Sequence, residues 1–285
     1  MIIAVASGKG GTGKTTVSTS LAWLTASSGP LTFLDCDVEE PDAHFYLKPS
    51  WDSEWGVNVE VPRIDSSCCD GCGKCADFCR YNALAAIQSD VLVFEELCHS
   101  CRGCAIACPL DCVSMVPRRL GIIRSGTSGE VAFRQGLLDI GEPMSPPIIR
   151  KLKDEIPPGG EAIVDCPPGA GCPMIVAITG ADYCILVTEP SPFGKHDLDI
   201  AHQVAGQLGI PHGVVINKST VHDGIIEEYC TGEGIPLLGK IPYSREAAQH
   251  CSRGELLAEA DTATGDIFRR ILEGVTACRQ GSSLS

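Results

Sequence analysis

The stretch Ser7–Thr16 reads SGKGGTGKTT, and its neighbours decide how it is taken. Before it stands MIIAVA, a short apolar run of strand type; after it an apolar helical stretch runs from Val17 to Ala26. Within it, Gly8-Lys9-Gly10-Gly11-Thr12-Gly13-Lys14-Thr15 fits GxxxxGK[ST]. Strand, glycine-rich loop and helix stand in the order that this phosphate-binding motif requires. Glycines let backbone N–H groups turn inward around phosphates, and the helix N-terminus adds the positive end of its dipole. Gly8, Gly10, Gly11, Thr12, Gly13 and Thr16 then form the cradle, Lys14 reaches the β- and γ-phosphates of ATP, and the Thr15 hydroxyl ligates Mg²⁺. The expected body is α/β, a doubly wound, mostly parallel sheet of the P-loop type.

Composition narrows the surroundings. The 285 residues carry 36 acidic against 22 basic side chains, a formal charge of -14. That balance argues against nonspecific binding to nucleic acid or anionic membrane. No stretch approaches the ~20 apolar residues of a membrane span, and the N-terminus runs straight into the phosphate loop with no signal peptide before it, so a cytoplasmic protein is expected. Seventeen cysteines are many for such a chain. In a reducing compartment, clustered spacing points to metal rather than disulfides.

Eight of them form two strict runs. Cys69-x2-Cys72-x2-Cys75-x3-Cys79 is followed by Cys98-x2-Cys101-x2-Cys104-x3-Cys108-Pro109. This is the bacterial ferredoxin spacing, present twice, in which the fourth cysteine of each run serves the other cluster. Cys69, Cys72, Cys75 and Cys108 are assigned to one [4Fe–4S] centre, and Cys98, Cys101, Cys104 and Cys79 to the second. Zinc also takes four thiolates, but its ribbons need neither the third CxxC step nor the x3 cysteine. Arg80 follows Cys79 where ferredoxins usually place proline. Cys68 and Cys112 lie outside the ligand sets and read as bystander thiols. Residues 62–127 are expected to be an inserted ferredoxin-type domain. It would divide the nucleotide-binding body into 1–61, with the phosphate loop, and 128–285.

Lys9, directly after the first glycine in KGGTGKT, resembles the deviant phosphate loop of the MinD/ParA/nitrogenase-iron-protein class of ATPases. The resemblance extends along nearly the whole chain and includes VTEPSPFGKHDL, Val187–Leu198. In that class the lysine crosses a dimer interface to the partner's nucleotide, so the resemblance implies a nucleotide-dependent homodimer, or a heterodimer with a paralogue. LTFLDCD and EAIVDCPPGAG are strands ending in carboxylates, where open α/β sheets bind ligands. By the resemblance, Asp37 of the first switch positions the attacking water and Asp35 supports Mg²⁺. Asp165 of the second switch stands near Mg²⁺ and Gly169 near the γ-phosphate. Asn217, in GVVINKS, reads adenine, with Pro242 in a loop beside the base.

Cys172 lies seven residues after Asp165, as a cluster-binding cysteine does in the nitrogenase iron protein; it is either a metal or redox thiol or a small packed side chain. Sequences of this kind are often labelled cobyrinic acid a,c-diamide synthase, which does not fit, because no segment remains to build a glutaminase. The expected activity is slow, partner-stimulated ATP hydrolysis. The dimer is coupled through two [4Fe–4S] clusters to electron transfer, or to iron–sulfur or metal-centre handling, with an unidentified redox or metal-centre partner protein. A spatial-organisation ATPase of MinD/ParA type is the alternative, with the clusters as redox sensor or structural brace; so is a purely structural role for the clusters.

Overall fold

The computed structural model describes residues 1–282, and side chains as far as Cys278. The strands, in chain order, are β1 Ile2–Ala6, β2 Leu31–Asp35, β3 Ser50–Ile64, β4 Leu84–Ile87, β5 Asp90–Val93, β6 Val113–Ser128, β7 Val131–Leu138, β8 Ala162–Asp165, β9 Tyr183–Thr188, β10 His212–Ser219 and β11 Leu237–Pro242. Nine of these make one sheet, ordered β11-β10-β9-β1-β8-β2-β7-β6-β3. From β11 to β7 every pairing is parallel; β6 and β3 are added antiparallel at one edge.

Parallel strands covered on both faces read as continuous apolar runs, and β1 shows why. Ala4 and Ala6 face one core, with Leu34, Val164 and Leu186, under the helices Pro146–Lys153, Cys172–Ile178 and Pro192–Gln207. Ile3 and Val5 face the other core, with Phe33, Ile163 and Ile185, under the helices Lys14–Ala26 and Thr262–Ser282. The chain leaves β1 toward β2 and leaves β8 toward β9, in opposite directions along the sheet. The crevice above the C-terminal ends of β1 and β8 is thus the switch point where such sheets bind ligands.

The edge strands carry the cysteine-rich unit. β3 and β6 pair from Ser50 opposite Thr127 to Ile64 opposite Val113 as one long ribbon. β7 supports β6 from Gly121 to Ser128. The seams expected at 62 and 127 fall inside these continuous strands. The non-ribbon part of the unit closes where the Asp65 amide donates to the Cys112 carbonyl at 2.8 Å. It holds two short helices, Lys74–Phe78 and Gly103–Ala107, and the β4–β5 hairpin. Its apolar core is little more than Cys75, Leu84, Val91 and Cys104. A unit with so small a core depends on staples or metal to hold its shape.

Candidate functional site

The first site lies above β1, β2 and β8. Gly13 ends the phosphate loop at φ 87°, a left-handed conformation that glycine adopts freely. It also has to be glycine because a Cβ there would collide with the Asn217 amide. The helix takes up its bonding with Val17 donating to the Gly13 carbonyl at 3.1 Å. The amides of Lys14, Thr15 and Thr16 are therefore first-turn donors with no intrahelical partner, as an anion site requires. The loop borders a cavity of about 270 Å³ lined by Lys9 to Thr16, Asp37, Glu40, Tyr46 and Pro168.

Lys14 and the strand-end carboxylates form a buried cluster. Lys14 Nζ lies 2.9 Å from Asp165 Oδ1 and 3.8 Å from Asp37 Oδ2. Thr15 Oγ1 donates to Asp165 Oδ2 at 2.7 Å. Burial alone would lower the Lys14 ammonium, but Asp165, Asp37 and Asp35 outweigh it and hold the pKa above its ordinary value. Burial and the charge on Asp165 push Asp35 well up, and burial raises Asp165 while Lys14 and Thr15 pull it back. Burial takes Asp37 to about 6 despite Lys14. Asp35 does not line the cavity. It sits beneath it, its Oδ2 accepting from Ala43 N and Gln135 Nε2, both at 3.2 Å. Asp35 Oδ1 and Thr12 Oγ1 are buried with no hydrogen-bond partner. Hard oxygens from Thr15, Asp165 and Asp35 suit Mg²⁺, and the orphaned groups are the kind a hydrated ion and a phosphate would satisfy.

The remaining residues close the rim. Gly169 N donates to the Ser7 carbonyl at 3.0 Å, joining the segment after β8 to the phosphate loop. Asn217 Nδ2 donates to the Thr12 carbonyl at 2.7 Å. Pro242 ends β11, opposite Ser219 on β10. Lys9 is not free: its ammonium is paired with Glu189, whose other oxygen is 3.3 Å from Lys218. The hydrogen bond from Lys9, reinforced by Lys218, holds the Glu189 carboxyl below its ordinary range. The sequence reading passed over Glu189, although it follows β9 as Asp37 follows β2, and that strand-end placement was the available signal.

The second site is the cysteine-rich unit, where two hollows open. One is ringed by Cys69, Cys72, Cys75 and Cys108, the other by Cys79, Cys98, Cys101 and Cys104. The two runs share a backbone. Left-handed residues stand two and four places after each first cysteine, at Gly71 (φ 73°) and Gly73 (φ 74°) and at Ser100 (φ 55°) and Arg102 (φ 59°). Others stand three places after each fourth cysteine, at Asn82 and Asp111, both with φ 53°. A non-glycine residue in that region is held there by its surroundings: Ser100 Oγ donates to the Glu60 carbonyl at 2.7 Å, and Arg102 Nε to Glu60 Oε2 at 2.6 Å. Amides point at sulfur, Ala83 N to Cys79 Sγ at 3.3 Å and Ser100 N to Cys98 Sγ at 3.4 Å. Burial pushes the Cys75, Cys98 and Cys104 thiols up, so keeping them as thiolates calls for a cationic centre. Among the described residues no three His, Cys, Asp or Glu side chains converge on the point a single ion would occupy. Each hollow is bordered by four cysteines, the number that one [4Fe–4S] cluster takes.

Two expectations about other cysteines are corrected. Cys68 and Cys112 are not bystanders: their sulfur atoms meet, with Cα atoms 5.8 Å apart, a span that a disulfide bridges. Cys172 is exposed at the start of its helix and is not packed as a small apolar side chain. It lines a cavity of about 450 Å³ between the two sites, together with Glu39, Ser145, Arg150, Cys98 and His99. Cys36, Cys166, Cys184 and Cys230 are buried in the body.

A mostly parallel sheet with a glycine-rich loop and a lysine–carboxylate cluster at its switch point defines a P-loop nucleotide-binding protein. A profile of the CobQ/CobB/MinD/ParA nucleotide binding domain matches residues 3–257, and the chain belongs to that family, whose MinD/ParA members are ATPases. An uncharacterized protein of Methanocaldococcus jannaschii, MJ0579, is 30% identical over 253 residues, covering 82% of this chain and 90% of its own. The electron transport protein HydN of Escherichia coli K12 is 31% identical over 74 residues, 26% of this chain and 40% of HydN. Among solved structures, the septum site-determining protein MinD of Pyrococcus horikoshii, complexed with Mg-ADP, superposes with a TM-score of 0.59. That match is 19% identical over 96% of this chain and 95% of MinD, a likeness of fold. Among the described residues no helix is long and apolar enough to cross a membrane.

Proposed function

We propose that the chain is a cytoplasmic ATP-hydrolysing iron–sulfur protein, a nucleotide-gated dimer coupled to electron transfer or metal-centre handling. The observation that carries this reading is the cavity shared by Glu39, Cys172 and Cys98. It brings the segment after β2, the segment after β8 and the second cysteine run to one wall, so a nucleotide that moves either segment changes the surroundings of the cysteines. The two hollows fit [4Fe–4S] clusters on the two sets of four cysteines, and each cluster would supply a one-electron couple.

The residues of the nucleotide site have separable tasks. Lys14 turns from Asp165 and Asp37 to the phosphates, releasing Asp165 toward Mg²⁺ with Thr15. Asp37, on the cavity wall, orients the attacking water, and the loop amides hold the γ-phosphate, joined by Gly169 once its N–H leaves the Ser7 carbonyl. Asn217, with Nδ2 committed to Thr12, leaves Oδ1 to accept from the adenine amino group. Lys9 leaves Glu189 to reach a partner protomer's nucleotide. HydN is an electron transport protein, and the local likeness to it favours a redox task for the cysteine-rich unit.

Anaerobic purification, with iron and sulfide analysis and EPR with and without MgATP, tests the reading. Close to eight irons per chain and a signal that shifts with MgATP are expected. A signal indifferent to nucleotide removes the coupling, and a single zinc removes the clusters.

A further inference from the structure

The two cysteine runs are related by an internal pseudo-symmetry that reaches beyond the ligand positions. The Asp65 amide donates to the Cys112 carbonyl at 2.8 Å, and at the matching place the Phe94 amide donates to the Ala83 carbonyl at 2.8 Å. Cys68 N bonds to the Asp65 carbonyl at 3.3 Å, as Leu97 N bonds to the Phe94 carbonyl at 3.1 Å. Counting from the cysteines gives the same register. Cys68 and Leu97 each precede a first cysteine, and Cys112 and Ala83 each stand four places after a fourth. The fold therefore offers two equivalent slots beside two equivalent hollows. One slot is filled by Leu97 and Ala83, which can do no redox chemistry; the other is filled by Cys68 and Cys112, sulfur to sulfur.

That pair has an inside and an outside. Cys112 is buried and lines the hollow ringed by Cys69, Cys72, Cys75 and Cys108. Cys68 is exposed, on the turn where β3 enters the unit. The Leu97–Ala83 slot shows that the backbone closes in the same way without a cysteine pair.

We propose that Cys68–Cys112 is a thiol–disulfide exchange site. It takes two electrons from within the cysteine-rich unit and passes them to an external disulfide. This inference rests on the proposed presence of clusters, which would furnish the two electrons one at a time. The chemistry balances. Two electrons and two protons cleave the Cys68–Cys112 bond to two thiols. The Cys68 thiolate then attacks one sulfur of the external disulfide, forming a mixed disulfide and expelling a thiolate. The Cys112 thiolate attacks Cys68 Sγ, restores the internal bond and expels the second thiolate. The sum is one external disulfide converted to two thiols by two electrons and two protons. Cys68 is the attacking residue because it is the exposed one, and Cys112 resolves.

The full chain, purified without oxygen, is alkylated before and after dithionite and the modified cysteines are mapped by mass spectrometry, with iron and sulfide measured on the same sample. Cys68 and Cys112 should be protected before reduction and labelled together after it. In Cys112→Ser, glutathione disulfide should leave one glutathione on Cys68, whereas Cys68→Ser should take up none at Cys112. A disulfide-bonded peptide run in parallel distinguishes a low-mass from a polypeptide substrate. Iron content should be the same in both variants as in the parent. Full labelling of both thiols before any reductant overturns the proposal while leaving the cluster reading intact. Loss of about half the iron in Cys112→Ser would make that residue a ligand and also overturn it. Protection relieved by dithiothreitol in a chain without iron would remove both the electron source and the cluster reading.

Discussion

Lys9 shows how a single side chain can be present and yet withheld. Its ammonium is tied to Glu189 within its own protomer, with Lys218 on the other carboxylate oxygen. The pair is only partly shielded, at 31% and 23% exposure, so it contributes at most about 1 kcal/mol. A latch that weak can be released by a better partner. Glu189→Gln should therefore leave the monomer's stability almost unchanged while strengthening MgATP-dependent dimerisation, read by analytical ultracentrifugation. Lys9→Ala should bind nucleotide normally and dimerise poorly; normal dimerisation in that variant would end the cross-interface role. Lys14 is a different case, because a charge-assisted hydrogen bond is worth about 1.5–3 kcal/mol. Losing its bonds to the phosphates in Lys14→Ala should weaken ATP binding roughly 100-fold by calorimetry. Both lysines and the acidic strand ends are legible in the sequence because the motif fixes their spacing. Glu189 is legible only as a carboxylate that follows a strand, because its partner lies far away along the chain and no local pattern announces the ion pair.

At the scale of elements, turns carry the function. Gly13 combines a left-handed backbone with close approach to Asn217. Gly13→Ala should cost about 1–2 kcal/mol in stability and should also displace the side chain assigned to adenine, lowering nucleotide affinity in the same titration. Helix-to-strand packing sets a second expectation. His202, on the helix Pro192–Gln207, meets His212 at the start of β10, Nδ1 to Nε2 at 2.7 Å, with Tyr229 beside the pair. Burial holds the His212 imidazole below its ordinary value. A proton then binds the unfolded chain more readily than the folded one, so stability should be complete above about pH 6.5 and fall as pH drops below it. In His212→Gln the dependence of the thermal midpoint on pH over that window should flatten. The parallel strands were legible as apolar runs. In β3 the segment WGVNVEV was legible too, but the start, SWDSE, was not, for it is exposed and has no alternation. Its pairing is dictated by β6, distant in the chain, and by the twist of the whole edge rather than by local propensity.

For the molecule as a whole, the cysteine-rich unit joins the body through two strands that face each other at Ile64 and Val113. Replacing residues 65–112 by an Asn-Gly turn asks of those strands only what a two-residue hairpin asks. The shortened chain should fold, bind nucleotide as before and carry no iron; failure to fold would make the unit part of the body's core. That two kinds of site share one chain was legible, since each motif is local. How they meet was not, because the cavity between them is built by Glu39, Cys172 and Cys98, three residues that no spacing relates.

The support of the ribbon has a mechanical consequence. Among the described residues no third strand backs it beyond Leu120, and the ion pairs Arg118–Glu142 and Arg119–Asp139 sit at its root. From there to Val113 it runs on for about 25 Å at the usual rise of a strand, a beam whose cysteine-bearing load faces the body across the cavity of Glu39, Cys172 and Cys98. Tilting the root by about 10° sweeps the tip through about 4 Å over that length. On the proposed coupling a nucleotide would have no need to touch the cysteine-bearing end; rocking the footing of the beam would be enough.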